Sequence, residues 1–244
     1  MKSQPIVLQV SDLHFAYGPA FRLSIPTIAI KAGEIVCIAG PNGSGKTTYL
    51  ECLTGLLQPD KGVITISGKP LTSAMYRSKA AIGYIPDDEH WLIKELSAAE
   101  YFEVLMSVYW AAGVTVNMRQ RCADLANQLQ FTAFRQPLQE LSHGNKKKVQ
   151  IIAALMHNPK VLIVDELRNG LDPLAVIAAE RIIKQSAKNG TCVVASTHDL
   201  WWAERLATSI LLLVNGKPVL HSSVQQVKQQ YKHVENAFLE LVVP

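Results

Sequence analysis

The octapeptide Gly40-Pro41-Asn42-Gly43-Ser44-Gly45-Lys46-Thr47 constrains this chain more than any other stretch. It fits G-x-x-x-x-G-K-[ST], a loop whose backbone N–H groups turn inward around phosphate oxygens. Glycine makes that turn possible because it carries no Cβ. The loop must open a helix, whose N-terminus adds a favourable field for anions. Its context fits this. Ile35 to Ala39 is an apolar run of strand length, and Leu50, Leu53 and Leu57 follow at helical spacing over Thr47 to Leu57. Lys46 is placed to reach the outer phosphates, and the Thr47 hydroxyl to bind the Mg²⁺ that accompanies them.

Composition excludes several classes. The 244 residues are 48% hydrophobic and 18% charged, which describes a well-cored globular chain. A net charge of +4 is far below the basic excess of a dedicated nucleic-acid binder, so no nucleic-acid partner is expected. Cys37, Cys52, Cys122 and Cys192 show no paired spacing, which fits a reducing cytosol, and Cys37 and Cys192 sit in apolar strand-like runs as buried thiols would. Met1 to Pro5 is polar and does not read as a signal peptide, and no apolar segment has the length of a bilayer span.

Strand and helix patterns alternate along the chain. Ile6 to Phe15 reads as a half-buried strand with Leu23 to Ile30 as its partner, and Pro59-Asp60-Lys61-Gly62 as a turn into a strand over Val63 to Ser67. Ala81 to Ile85, Val161 to Val164, Thr191 to Ser196 and Ile210 to Val214 are further strands, and Asn215-Gly216 a tight turn into Pro218 to His221. Trp91 to Gln139 is helical in pattern, and Ser223 to Leu241 forms one or two amphipathic helices. The sum is an α/β fold with a mostly parallel central sheet, an antiparallel β portion near the N-terminus and a helical subdomain. The aromatics Trp91, Tyr101, Phe102, Tyr109 and Trp110 are expected to build mainly the small core of that subdomain.

Val161-Leu162-Ile163-Val164-Asp165-Glu166 delivers two carboxylates at the end of a buried strand. That is where ligands sit in open α/β sheets. Asp165 is suited to hold Mg²⁺, and Glu166 to take a proton from an attacking water. Leu141-Ser142-His143-Gly144-Asn145, Asn169-Gly170-Leu171-Asp172 and Thr197-His198-Asp199 complete a set of five motifs.

In order and spacing, these motifs resemble the ATPases of ABC transporters, over about Ile6 to His221. The resemblance implies the P-loop NTPase fold of ABC-ATPase type in a single domain. A RecA-like core with the N-terminal β portion would take residues 1–86 and 150–222, a helical signature subdomain 87–149, and a C-terminal helical tail 223–244. It implies ATP and Mg²⁺ as cofactors. ATP would be held by Gly40, Pro41, Asn42, Gly43, Ser44, Gly45, Lys46, Thr47 and Thr48, with Tyr17 stacked on adenine. Thr47, Asp165 and Asp87 would form the metal shell, and Glu166, His198 and Lys46 would be catalytic. Ser142, His143, Gly144 and Asn145 form the signature that faces ATP on an opposite subunit, and Asp172 carries signals across the dimer or simply caps the helix after it. Lys146, Lys147 and Lys148 are expected on a solvated helix face.

The implied function is an ATP-hydrolysing subunit that powers a transporter. Its partners are an integral membrane permease, which would dock on the helical insertion, and a second nucleotide-binding domain, identical or different. It would work in the cytoplasm, peripherally on the inner face of the membrane, with no direct contact to cargo. A soluble ATPase acting on ribosomes, DNA or protein assemblies, and a module that binds ATP without hydrolysing it, are the alternatives. Two motifs depart from the family pattern. Asp87 stands where a glutamine is usual, and His143 and Asn145 replace the signature's Gly and Gln.

Overall fold

A computed structural model of the chain describes residues 4–71 and 79–242. Met1 to Ser3 of the polar start, residues 72–78 of the expected core and the last two residues of the tail lie outside that description. Two sheets organise the fold. The first is antiparallel and runs β2 (Phe21–Ile25), β1 (Ile6–Tyr17), β5 (Lys61–Ile66) and β6 (Lys69–Pro70), with β3 (Ile28–Lys31) also paired to β1. The second has the order β11 (Lys217–Ser223), β10 (Ser209–Val214), β4 (Ile35–Ala39), β9 (Cys192–Thr197), β8 (Val161–Asp165) and β7 (Ile82–Ile85). It is parallel except for the β10–β11 hairpin.

The unbroken apolar runs of the second sheet have a simple cause. Successive side chains leave a strand on opposite faces, and here both faces are covered. Ile35, Cys37 and Ala39 point into one core with Leu162, Val164, Val193 and Ala195. Val36 and Ile38 point into the other with Val161, Ile163, Cys192 and Val194. The second core is closed by the first sheet and by α1 (Lys46–Thr54), which buries Tyr49, Leu50 and Leu53. The opposite core is closed by α2 (Ala98–Ala111), α3 (Met118–Gln128), α4 (His143–Leu155), α5 (Pro173–Lys188) and α6 (Leu200–Leu206). The C-terminal tail is two helices, α7 (Val224–Tyr231) and α8 (Val234–Val242). All four cysteines are buried and free.

The structure revises some sequence expectations. Leu23 to Ile30 is two strands, because Pro26 lacks the N–H a ladder needs; β2 and β3 pair with different halves of β1. Lys61 and Gly62 belong to β5 rather than to the preceding turn. Gly62 has φ +93° and a Cβ there would lie 2.5 Å from the Asp12 carbonyl oxygen, where β1 bulges. Only glycine tolerates that approach, so a residue that reads as turn punctuation is a strand residue. Helix α1 stops at Thr54 because Gly55 takes the left-handed conformation, leaving Leu57 outside. The segment Trp91 to Gln139 contains two helices, α2 and α3, and a 3₁₀ turn at Leu138–Glu140. The first is started by a capping box of Ser97 and Glu100, the second by Asn117.

The joint between β7 and α4 is tight. A Cβ on Gly83 would overlap the Ala154 carbonyl oxygen, and His157 Nε2 donates to the Ile82 carbonyl at 3.1 Å. Neither backbone can retreat without breaking the packing of both cores. Gly83→Ala should therefore destabilise the fold by about 1–3 kcal/mol, the usual range for overpacking. A lower urea midpoint at unchanged m-value would show it; an unchanged midpoint would mean the joint is looser than the structure indicates.

Candidate functional site

The glycine loop joins β4 to α1, at the C-terminal edge of the parallel sheet. Gly43 and Gly45 both have positive φ, +77° and +100°. Gly40 packs against the Leu213 carbonyl, so the loop's base is anchored to β10. Gly45 is the N-cap of α1, no side chain accepts from the first-turn N–H groups, and no acid stands in that turn. The helix end is thus left open for an external anion. The Ser44 hydroxyl is buried without a hydrogen-bond partner among the described residues. Lys46 Nζ donates to the carbonyls of Gly40 and Pro41, at 2.9 and 3.1 Å. Burial lowers its pKa, against the raising influence of Glu166 and Asp165.

These groups line a cleft of about 500 Å³. Its walls are Tyr17, Phe21, Asn42, Gly43, Gly45, Lys46, Thr47, Thr48, Asp87, Asp165 and Glu166. Of the residues expected to hold nucleotide, Gly40, Pro41 and Ser44 form the base of the loop rather than the cleft wall. Tyr17 is half exposed and its ring leans on Phe15, with centroids 4.8 Å apart, which offers a flat apolar surface at the mouth.

Asp165 ends β8 and is buried. One carboxylate oxygen accepts from Thr47 Oγ1 at 3.1 Å, and the other from the Ser196 hydroxyl on β9. Hydroxyl and carboxylate oxygens are hard donors, the kind Mg²⁺ takes in small number while keeping phosphate and water for the rest. Among the described residues no three His, Cys, Asp or Glu side chains cluster as a complete metal site. This set therefore fits a metal that arrives with phosphate. Asp87 lies on the same wall, with one oxygen held by Asn169 Nδ2 at 2.7 Å.

Glu166 follows Asp165 with φ +46°, an uncommon conformation for a residue with a side chain. Its amide donates to Ser196 Oγ, and its carboxylate meets His198 Nδ1 at 3.0 Å. The kink swings the carboxylate out of the strand line and against the imidazole. His198 itself lines an adjoining cleft with Asn169, Leu171 and Pro173.

Ser142, His143, Gly144 and Asn145 start α4, away from this cleft. Ser142 Oγ caps the helix by accepting from the Asn145 N–H, which leaves its own proton free to donate outward. Asp172 caps α5 by accepting from the Ala175 N–H at 2.9 Å, with Pro173 as first helical residue. No backbone bond or cap brings either turn to its own chain's glycine loop.

The lysine run is not a uniformly solvated face. Lys147 is buried: its Nζ donates to the Pro86 carbonyl at 2.6 Å and reaches the Asp165 carbonyl at 3.5 Å. Lys146 bonds Glu89 at 2.9 Å. The sequence did carry a signal, since Lys147, Ile151 and Ala154 share one buried stripe at helical spacing. Glu89 and Ser196 were also missed. Ser196 could be read only from the neighbouring strand register, Asp165 against Ser196.

Burial lowers the Lys147 pKa from 10.5 to about 8, although Asp87, Asp165, Glu166 and Asp88 all favour its charge. Between those pH values the unfolded chain holds a proton that the folded chain has released, so stability from this group rises with pH across the window. The unfolding free energy of the chain, relative to that of Lys147→Met, should climb from pH 8 to 10.5 by up to about 3 kcal/mol. Parallel curves for the two proteins would show that Lys147 keeps an ordinary pKa.

Comparison with known proteins places this geometry. The profile of the family described as ABC transporter matches residues 23–169. The chain is 30% identical over 240 residues to the ABC-type transporter ATP-binding protein EcsA of Bacillus subtilis (strain 168), covering 96% of each. It is 32% identical over 224 residues to the SkfA peptide export ATP-binding protein SkfE of the same organism, covering 92% of each. A solved structure of an ATP-binding subunit of an ABC transporter superposes with a TM-score of 0.88 at 28% identity, over 96% of this chain and 99% of that one.

Proposed function

The chain belongs to the ABC transporter family, and from that premise we propose that it is the ATP-hydrolysing subunit driving a separate integral membrane permease. The observation that carries this reading is the cleft itself. An uncapped helix N-terminus over a glycine loop faces a kinked carboxylate backed by an imidazole. The carbonyl-parked Lys46 on the cleft wall is a group that a phosphate tail would satisfy.

In this reading Tyr17 stacks on the base, and the N–H groups of Gly43 to Thr48 hold the phosphates. Lys46 leaves its carbonyls to neutralise charge on the outer phosphate. Thr47 and Asp165 would hold Mg²⁺, with Asp87 reaching its shell; a bound Mg²⁺ supplies shielding of the charge that develops on the phosphate oxygens. Glu166 accepts the proton of the attacking water, and His198, from the adjoining cleft, fixes the Glu166 carboxylate. The Ser142 turn of one copy completes the site of a second nucleotide-binding domain, packed head to tail, and Asp172 lies at the seam. We assign residues 1–86 and 150–222 to the core, 87–149 to the signature subdomain and 223–244 to the tail.

No helix among the described residues is long and apolar enough to cross a membrane. The permease would supply the crossing, with this chain bound at the inner face. Trp91, Ile93, Val104, Val108 and Trp110 are exposed on the helical segment, an apolar surface suited to receive it. Tyr101 and Phe102 are buried there, in the core-building role.

Glu166→Gln should abolish phosphate release, keep ATP binding and accumulate an ATP-bound dimer in sedimentation analysis. Turnover near the wild-type rate would remove Glu166 as the base. Asp87→Asn and Asp87→Gln should each raise the Mg²⁺ concentration for half-maximal turnover severalfold, since an amide is a weaker ligand than a carboxylate. Mg²⁺ titrations that superpose on the wild type would put Asp87 outside the metal shell.

A further inference from the structure

His143 is the residue by which the signature turn departs most from its family, and the structure shows what it touches. Its Nδ1 meets Glu89 Oε1 at 2.5 Å. The other edge of the ring lies against Gly170, so closely that a Cβ at Gly170 would overlap the imidazole. Gly144 also abuts this segment, since a Cβ there would lie 2.9 Å from the Gly170 carbonyl oxygen. The same imidazole therefore bridges the loop after β7 and the loop before α5.

Two further sets of bonds close the circuit. Along one side of α4, Lys146 holds Glu89 Oε2 at 2.9 Å, Lys147 holds the Pro86 carbonyl, and Gln150 holds the Asp88 carbonyl at 2.5 Å. Across the cleft, Asn169 holds Asp87. Residues 86–89, 143–150 and 169–170 come from three separate parts of the chain, yet each is bonded or packed to the other two. An isolated half-exposed ion pair contributes little. Glu89 is different, because it takes two donors from one helix turn and its side chain is three-quarters covered.

We propose that Glu89 and His143 are positioning residues that latch the signature turn to the Asp87 loop and to Gly170, setting the aim of the Ser142 turn before a second copy arrives. This inference rests on the head-to-tail reading above. A turn held in register meets its partner's phosphate without first being ordered, which strengthens association. Glycine at 143 has no side chain to make either contact. The replacement that brings this chain nearer to the family pattern should therefore weaken it.

The test uses the full chain carrying Glu166→Gln, and measures ATP-dependent dimerisation by sedimentation, with binding of a fluorescent ATP analogue to the monomer and urea midpoints alongside. His143→Gly and Glu89→Gln, each added to that parent, should raise the dimer dissociation constant by roughly tenfold, the scale of a typical coupling between contacting residues. Monomer nucleotide affinity should stay at the parent's value, while the urea midpoint should fall modestly, because the latch also ties three segments of the monomer. The double substitution should be no worse than the stronger single one, because both break one latch. His143→Gln, which restores a donor for Glu89, should recover part of the loss. Multiplied effects in the double variant, or a His143→Gly protein that dimerises as well as its parent, would overturn the latch. A parent that stays monomeric with saturating ATP would overturn the dimer reading itself, and the latch with it.

Discussion

The Asp165 carboxylate is the point on which the site converges. It sits at the end of a strand buried on both faces and is almost wholly covered, so its charge must be met largely by protein donors. Thr47 comes from the helix after the glycine loop and Ser196 from the neighbouring strand, one to each oxygen. The same two bonds that satisfy a buried acid fix the loop, the strand end and β9 relative to one another. Glu166 inherits its position from this arrangement. Its amide is held by Ser196, and its left-handed backbone is stable only because strand register and that bond over-determine it.

The parallel sheet explains why these parts meet at one edge. Strands β4, β8 and β9 run the same way, so the glycine loop, the Asp165-Glu166 pair and the Thr197-His198 turn all leave from their C-terminal ends. The antiparallel sheet adds Tyr17 from the end of its longest strand and Phe21 from the next. Three motifs more than a hundred residues apart at their extremes thereby line or adjoin one cleft, and the Thr47 and Ser196 bonds to Asp165 only fix them there.

Much of this was legible in the residues. The glycine loop, the buried strand ending in two acids and the run of apolar strands each carry a local pattern with a local cause. What escaped was set by neighbours in space. Gly62 reads as a turn because nothing in its own segment reveals the bulge of β1 opposite it. Lys147 reads as solvated because two flanking lysines, one half-buried and one on Glu89, disguise the buried stripe it belongs to. Ser196 is one small residue in an apolar strand, and its role exists only once β8 lies beside β9.

The departures at 87, 143 and 145 and the lysine run at 146–148 are better understood together than one at a time. A carboxylate at 87 adds negative charge beside Asp88, Asp165 and Glu166, which alone should loosen the grip on a polyphosphate. Lys147 lies within the field of all four, buried where its charge is weakly screened, and so offsets part of that excess. Asn169 takes one of the Asp87 oxygens, so that group is not left to repel its neighbours freely. One turn further along the loop, Glu89 is matched by His143 and Lys146 from the same helix. Acid on the loop and base on the helix form a complementary pair of surfaces. Reverting one side alone would strand the other, which is why the glycine and amide usual in the family are not neutral replacements within this chain.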